Sequence, residues 1–382
     1  MKNYYTLLCL FITGMLLFSC SALDKNDDGD NNTGNTQIGW NSPETITITP
    51  SNLTIEQNNI MITFPADQIT DNMDIKIYQG NDTSAFYRDS ETEIIGLEFL
   101  TEPDENLEVE VSLKVSNTDE NTIFFGYNDM SKSDGIRSDI VYPVTGVNSS
   151  GDTLKASITF PFGDMNSLES NSSLKKQMDG GYIFGLFGGK KPVRDSTEHF
   201  LLEKPGSNTA SLSTYLGYLE EAYTKLNNLG FPMDSISAAA NGKIRCYIGN
   251  TGKNNQGESN LGMYYMISNH VYITDDGAAL SGANTADVKA TLGHEFFHYV
   301  QYNWFISRVS LSDSYSWLAE ASAVWFEYQM DSPDRFIDVA VTNGDFFKDG
   351  IEGKTADDID KHGYGASYFL KYLSKTHGDQ VI

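Results

Sequence analysis

Polar and apolar residues alternate along the first half of the chain. In the run LEVEVSLKV, every second residue from Leu107 to Val115 is apolar and the residues between are polar. This period of two is that of a β-strand with one buried face. Similar runs separated by turn-forming residues occur at 45–49, 59–64, 73–77, 92–100, 121–127, 138–144 and 153–162. Short strands at this spacing are typical of an antiparallel sandwich, and we predict an all-β, Ig-like sandwich over 43–165.

The pattern is interrupted between residues 166 and 196. The stretch NSLESNSS is polar, and DGGYIFGLFGGKKP combines glycines with apolar residues. This composition predicts a linker that has room for one hairpin. A membrane-contacting or self-inhibitory segment is the alternative interpretation.

Helical periodicity begins after residue 197. Five apolar or aromatic residues share one helix face, and Gly230 suits the end of that helix. They are Leu212, Tyr215, Leu219, Tyr223 and Leu226. The strand-like runs GKIRCYIG, GMYYMIS and HVYIT follow, and further helices are predicted over 285–306, 315–330 and 363–376. We therefore predict a second, α+β domain over 197–382.

The N-terminus has the pattern of an export signal. Lys2 precedes an apolar run from Tyr4 to Phe18 that is too short for a transmembrane helix, and Ser19-Cys20 follows. This resembles a bacterial lipoprotein signal, which implies a signal peptide over 1–19 and lipidation of Cys20. An ordinary secretory signal with a chance cysteine is the alternative.

Residues 20–42 are polar and predict a flexible tether. Within them, KNDDGD resembles the acidic export tag of surface lipoproteins in Bacteroidetes-like bacteria; its alternative is a solvated linker. The resemblance implies an outer-membrane lipoprotein exposed at the cell surface, which contacts the membrane only through its lipid anchor. The net charge of −26 argues against nucleic acid as a partner. With the signal peptide removed and Cys20 lipidated, Cys246 would be the lone free cysteine of the mature chain. We expect it to be a small buried apolar residue.

The run TLGHEFFHYVQ carries the main candidate chemistry. His294 and His298 are four residues apart, so a helix presents both imidazoles on one face. Glu295 is next to the first ligand and could reach a water bound to the same metal ion. Two histidines on the surface of an amphipathic helix are the alternative interpretation.

A third metal ligand is expected on the following helix. A metzincin would need a third histidine where Trp304 stands, so that class is disfavoured. Glu320 lies instead on an apolar stripe with Trp317 and Val324. A buried carboxylate there is costly unless a cation compensates it, and a zinc ion would do so. The alternative is an ion pair at the edge of the core.

Two further residues are candidates to hydrogen-bond the metal ligands. Glu327 is seven residues after Glu320 and lies on the same helix face, where it could hold a histidine ligand. Gln301 follows His298 by three residues and is assigned the same supporting role.

The combination of GHEFFHYVQ with WLAEASAVWFE, where Glu320 follows His298 by 22 residues, resembles the gluzincin metallopeptidases. The resemblance implies a zincin-like domain, with one zinc ion per chain on His294, His298 and Glu320. It also implies that Glu295 is the general base. The expected partner is a peptide or protein substrate.

The stretch HGYGASYFLKYLSKTHGD is similar to the tyrosine-bearing helix of aminopeptidase-like gluzincins. The resemblance implies that Tyr364 stabilises the oxyanion, with His362 able to share that role. Tyr368 is the alternative if the alignment shifts by one turn, and Tyr364 as an aromatic packing residue is the other.

Two departures from the family bear on function. The run LGMYYMISNHVYIT contains no glutamate to hold a substrate amino terminus, which favours an endopeptidase over an aminopeptidase. The chain also stops soon after the tyrosine-bearing helix, so we expect a catalytic domain shortened at its C-terminus. The competing hypotheses are a surface lipoprotein that binds host protein or glycan, with a structural or inactive zinc site, and a hydrolase of another bond.

Overall fold

The computed structural model of the chain describes a defined subset of its residues. They are 18–20, 42–80, 94–101, 103, 105–129, 140–160, 162, 182–206, 208, 210–239, 242–249, 251, 261–265, 269–274, 285–305, 316–330 and 359–379. The signal peptide and tether predictions for 1–17 and 21–41 lie outside this set. No helix within it is both long enough and apolar enough to span a membrane.

Two antiparallel sheets form the first half of the fold. One contains, in spatial order, β10 (Asn148–Ser150), β11 (Thr153–Phe160), β7 (Leu107–Lys114), β4 (Ile60–Thr63) and β3 (Thr54–Gln57). The other contains β2 (Glu44–Ile48), β5 (Met73–Gly80), β6 (Ile94–Phe99), β12 (Tyr182–Lys190), β8 (Asn121–Asp129) and β9 (Ile140–Pro143).

The two sheets bury one apolar cluster between them. Strand β7 alternates buried and more exposed residues along its whole length, as its sequence predicts. Its inward-facing Val109 and Val111 belong to the same cluster as Leu97 and Leu186 of the other sheet. The predicted β-sandwich is therefore confirmed at this level.

Strand β12 corrects the linker predicted for 166–196. It pairs antiparallel with β8 from Tyr182 to Lys190 and also with β6, so it lies inside the second sheet. Gly189 reflects close packing rather than a turn, because a Cβ at that position would lie 2.9 Å from the Phe124 ring. Residues 193–196 then form a strand of a third sheet, and 166–181 lie outside the described residues.

The third sheet belongs to the second domain. Its spatial order is β1 (Phe18–Cys20), β16 (Gly262–Tyr265), β17 (His270–Thr274), β15 (Ile244–Gly249), β14 (Phe200–Lys204) and β13 (Val193–Ser196). The three strands β14, β15 and β17 are parallel, whereas β13 and β16 run antiparallel to their neighbours. The predicted end of the signal peptide, between Ser19 and Cys20, thus lies within β1, which pairs with β16.

Five described helices accompany this sheet. They are α1 (Leu212–Leu229), α2 (Met233–Ala239), α3 (Thr285–Phe305), α4 (Ser316–Gln329) and α5 (Ile359–His377). The helices predicted around 212–226, 285–306, 315–330 and 363–376 are therefore confirmed. In α1, Ser211 accepts a hydrogen bond from the Thr214 amide at the start, and Gly230 adopts a left-handed φ of 94° at the end.

Close packing sets the approach of α3 to α4. A Cβ on Gly293 would lie 2.6 Å from Cγ of Met330, so the absent side chain lets the end of α4 approach α3. The rings of Phe297 and Phe326 stack at 5.2 Å in the same interface. The Lys225 ammonium of α1 donates to the carbonyl of Gln329, which satisfies a free acceptor at the C-terminus of α4.

The third sheet presents two different faces. Apolar residues such as Cys246 and Ile248 face the helices, whereas the alternate residue Tyr247 shares a core cluster with the sandwich. Tyr142 of β9 contacts both Tyr247 and His270, with ring centroids 6.4 and 5.1 Å away. The sandwich therefore covers the sheet face opposite α3.

A buried carboxylate lies on this covered face. Glu203 is 1% exposed and accepts a 2.8 Å hydrogen bond from the Arg245 guanidinium. Arg194 also approaches Glu203, at 3.8 Å, but its side chain is 59% exposed. The two arginines therefore share one acceptor in very different solvent environments.

This difference predicts unequal effects of two matched substitutions. Arg245→Met leaves Glu203 buried with a weak partner and should lower the free energy of unfolding by about 3 kcal/mol. Arg194→Met removes an exposed charge and should cost less than about 1 kcal/mol. Urea unfolding of the two variants measures both values. Equal losses would contradict the assignment of the buried pair to Arg245.

Candidate metal centre

Helix α3 brings the two histidines of the HEFFH run together. His294 and His298 lie one turn apart and are both fully buried. Their Nε2 atoms are 3.0 Å apart, and their ring centroids are 4.7 Å apart. The predicted shared face of the two imidazoles is therefore present, and the interpretation as surface histidines is wrong.

Helix α4 adds the carboxylate expected from its apolar stripe. Glu320 is 2% exposed and faces both rings. One of its oxygens lies 3.4 Å from Nε2 of His294, and the other lies 3.3 Å from Nε2 of His298. These three residues form a buried group whose ligand atoms converge closely enough to hold a metal ion.

The outer nitrogen of His294 is held by a second carboxylate. Nδ1 of His294 lies 2.7 Å from Oε1 of Glu327, which is 4% exposed. A carboxylate oxygen can only accept, so Nδ1 carries the proton. When the ring is neutral, Nε2 therefore presents a lone pair towards His298 and Glu320.

The outer nitrogen of His298 is held by an amide. Nδ1 of His298 lies 2.8 Å from Oε1 of Gln301. The Gln301 amide nitrogen donates to the carbonyl of Ala319 at 3.2 Å and to the hydroxyl oxygen of Ser322 at 2.8 Å. These acceptors orient the amide so that its oxygen faces His298, and Nε2 again presents a lone pair inward.

This arrangement can hold a metal cation. Two imidazole nitrogens and two carboxylate oxygens converge at 3.0–3.4 Å, and in the neutral rings none of these atoms carries a proton. Burial alone would raise the pKa of Glu320, but positively charged, N–H-donating imidazoles at His298 and His294 outweigh it and lower that pKa to about 2. When both rings are neutral, a divalent cation would satisfy all four acceptor atoms.

Glu295 lies between α3 and the edge of the third sheet. It is fully buried, and β16 passes directly over it. A Cβ on Gly262 of β16 would lie 2.8 Å from Cγ of Glu295 and 2.5 Å from Cγ2 of Thr291. Gly262 therefore lets the strand approach the candidate base. We did not predict this role, although a glycine within a strand pattern can signal close approach of another group.

The other predicted site residues are only partly described. His362 and Tyr364 lie on the helical backbone of α5, but their side chains are outside the described residues. The backbone of Cys20 is in β1, and its side chain is likewise outside them. The oxyanion roles of His362 and Tyr364 and the lipidation of Cys20 stay predictions.

The hydrogen bonds behind the histidines predict a graded loss of metal affinity. Glu327→Ala should weaken metal binding by about 10–100-fold, because His294 loses the group that fixes its tautomer and orientation. Gln301→Ala should act in the same direction through His298. Competition with a chelator of known affinity measures both. Unchanged affinity in the two variants would show that these hydrogen bonds do not support the ligands.

Comparison with known proteins adds no family assignment. No protein-family model matches the chain, and a search of curated protein sequences finds no match. The functional interpretation therefore depends on the geometry of the site and on the sequence around it.

Proposed function

We propose that this protein is a zinc-dependent, gluzincin-like endopeptidase. The observation that carries the proposal is the buried convergence of His294, His298 and Glu320, with Glu295 directly beside the first ligand. The α+β domain would then be a zincin-like catalytic domain, and the sandwich an Ig-like companion.

The ligand set and its spacing favour zinc. Zinc commonly binds imidazole nitrogen and carboxylate oxygen, and catalytic sites keep three protein ligands and one open position. Tetrahedral bonds of about 2.0–2.1 Å place neighbouring ligand atoms roughly 3.3 Å apart. The observed separations of 3.0, 3.3 and 3.4 Å are close to that value.

Glu295 is the proposed general base. When bound, zinc supplies a Lewis acid that lowers the pKa of a water molecule and polarises a carbonyl group. In this mechanism Glu295 would accept the proton of that water and would later deliver it to the leaving amine. Its burial between α3 and β16 keeps the carboxylate in one place for both transfers. A purely structural metal site would need no base beside its ligands.

Strand β16 is the proposed binding edge for substrate. In this chain its outer edge pairs antiparallel with β1, and Cys20 lies opposite Gly262. Strand β1 shows that this edge can pair with an extended segment, and removal of the predicted signal peptide 1–19 would free the positions opposite Met263 and Tyr264 for a peptide bound by strand addition. Gly262–Tyr265 contains no carboxylate that could hold a substrate amino terminus, which supports an endopeptidase.

The proposed location follows from the N-terminal sequence. We propose that the chain is exported and anchored through Cys20 to the outer membrane of a bacterium, facing outward. The apolar run that ends at Cys20 and the acidic KNDDGD support this placement. Peptides or proteins outside the cell would then be the substrates.

Substitution of Glu295 and Glu320 separates chemistry from metal binding. Glu295→Gln should retain about one zinc per chain and lower kcat by at least about 100-fold, because the base is lost. Glu320→Ala should lose zinc, since a ligand is removed. Zinc analysis and cleavage of a broad peptide library measure both. A wild-type protein that holds zinc but cleaves no peptide would instead favour a binding lipoprotein with a structural site.

Gly262 provides a test of the base position. Gly262→Ala places a methyl group against Glu295 and Thr291, and kcat/KM should fall by about 100-fold with zinc retained. Gly249→Ala is the matched control, because a Cβ at that position in the same sheet meets nothing within 4 Å. Peptide cleavage kinetics measure the effect. Equal activity of both variants would contradict the proposed contact between β16 and the base.

A further inference from the structure

A pair of side-chain amides joins the turn before β17 to the last turn of α3. The Asn269 amide nitrogen donates to Oδ1 of Asn303 at 3.1 Å. The Asn303 amide nitrogen donates in return to Oδ1 of Asn269 at 3.0 Å. Each side chain therefore donates and accepts in the same pair, although the two residues are 34 positions apart.

Both amides are fixed by further partners. The Tyr264 hydroxyl of β16 donates to Oδ1 of Asn269 at 2.8 Å. The Asn303 amide nitrogen also donates to the carbonyl of Tyr299 at 2.7 Å, inside α3. The Tyr264 ring packs edge-on against Tyr299, with centroids 6.1 Å apart. The amide pair thus connects β16 itself to α3, through Tyr264.

The backbone of Asn269 is adapted to this position. Its φ of 53° is left-handed, a conformation that asparagine tolerates better than most residues. Among the described non-glycine residues, Asn58 has the same positive φ of 53°, and it lies in the turn between β3 and β4 of the sandwich. Asn58 therefore provides a control residue that has the same backbone φ and lies in the sandwich.

Strand β16 is attached to α3 at two separated points. The first is the close approach of Gly262 to Glu295, and the second is the amide pair at Asn303. Glu295 and Asn303 are eight residues apart in the helix, which corresponds to about 12 Å along its axis. One contact sets how closely the strand approaches, whereas two contacts also set its direction relative to the metal ligands.

The metal ligands have their own supports. His294 and His298 are oriented by Glu327 and Gln301, which lie on α4 and α3. The amide pair therefore acts on β16, the proposed peptide-binding edge, through contacts separate from those that hold the ligand set.

We propose that Asn269 and Asn303 are positioning residues that hold the peptide-binding edge of β16 in fixed alignment with the metal centre. This inference rests on the proposed peptidase function and deepens it. The described hydrogen bonds of the amide pair run to Tyr264 and Tyr299, so the pair acts through the position of β16. Its loss weakens the binding of an extended peptide along that edge and leaves the chemical step at the metal largely intact.

Three variants in the zinc-loaded full chain separate the side chain from the backbone. Asn269→Gly keeps the left-handed backbone accessible and removes the amide. Asn269→Asp keeps the acceptor for Tyr264 and Asn303 but loses the donor. Asn58→Gly makes the same change in the sandwich, far from the site. The readouts are zinc content, KM and kcat on a peptide that the wild-type protein cleaves, and hydrogen–deuterium exchange of residues 262–265.

The expected result is a split between binding and chemistry. Asn269→Gly should raise KM about tenfold, the effect of losing one or two hydrogen bonds, while kcat stays within about twofold and zinc is retained. Exchange in 262–265 should accelerate. Asn269→Asp should recover part of both effects, and Asn58→Gly should show neither.

Two results would overturn the inference. One is unchanged exchange in 262–265 of Asn269→Gly, and the other is a fall in kcat with KM unchanged. A wild-type protein that cleaves no peptide would overturn the proposed function, whereas the exchange measurement still decides whether the amide pair holds β16.

Discussion

The packing of the predicted second domain depends on one electrostatic constraint, which arises where His294, His298 and Glu320 converge in the interior. Two imidazole nitrogens and a carboxylate face each other there at 3.0–3.4 Å. Acceptor atoms this close repel each other in a low-dielectric interior unless a cation lies between them. The close approach of α3 and α4 at Gly293 and the hydrogen bonds from Glu327 and Gln301 all maintain that convergence.

The third sheet connects this site to the rest of the molecule. Its helix-facing side packs against α3, and strand β16, next to the edge strand β1, passes over Glu295. Its opposite side is covered by the sandwich, where Tyr142 contacts Tyr247 and His270. Since His270 directly follows Asn269, the contact with the sandwich and the amide pair lie at the same end of the β16–β17 hairpin. The sandwich therefore supports the strands that form the proposed binding edge. This role is separate from any binding of a ligand by the sandwich itself.

The sequence predicted those parts of the site that depend on local periodicity. The shared face of His294 and His298 follows from helical spacing, and Glu320 was recognisable because a carboxylate interrupted an apolar stripe. The location of β12 was not predictable in this way, because its glycines resemble turn residues unless the neighbouring strands are known. Gly262 and the Asn269–Asn303 pair also depend on contacts between distant segments. The roles of Tyr364, His362 and Cys20 stay predictions.

Anomalous diffraction at the zinc edge, from crystals of the zinc-loaded protein, is the most direct test of the central claim. The account predicts one strong peak about 2.0–2.2 Å from Nε2 of His294, Nε2 of His298 and a carboxylate oxygen of Glu320, with Glu295 outside bonding distance. A peak at another position, or no peak between the three residues at saturating zinc, would contradict it.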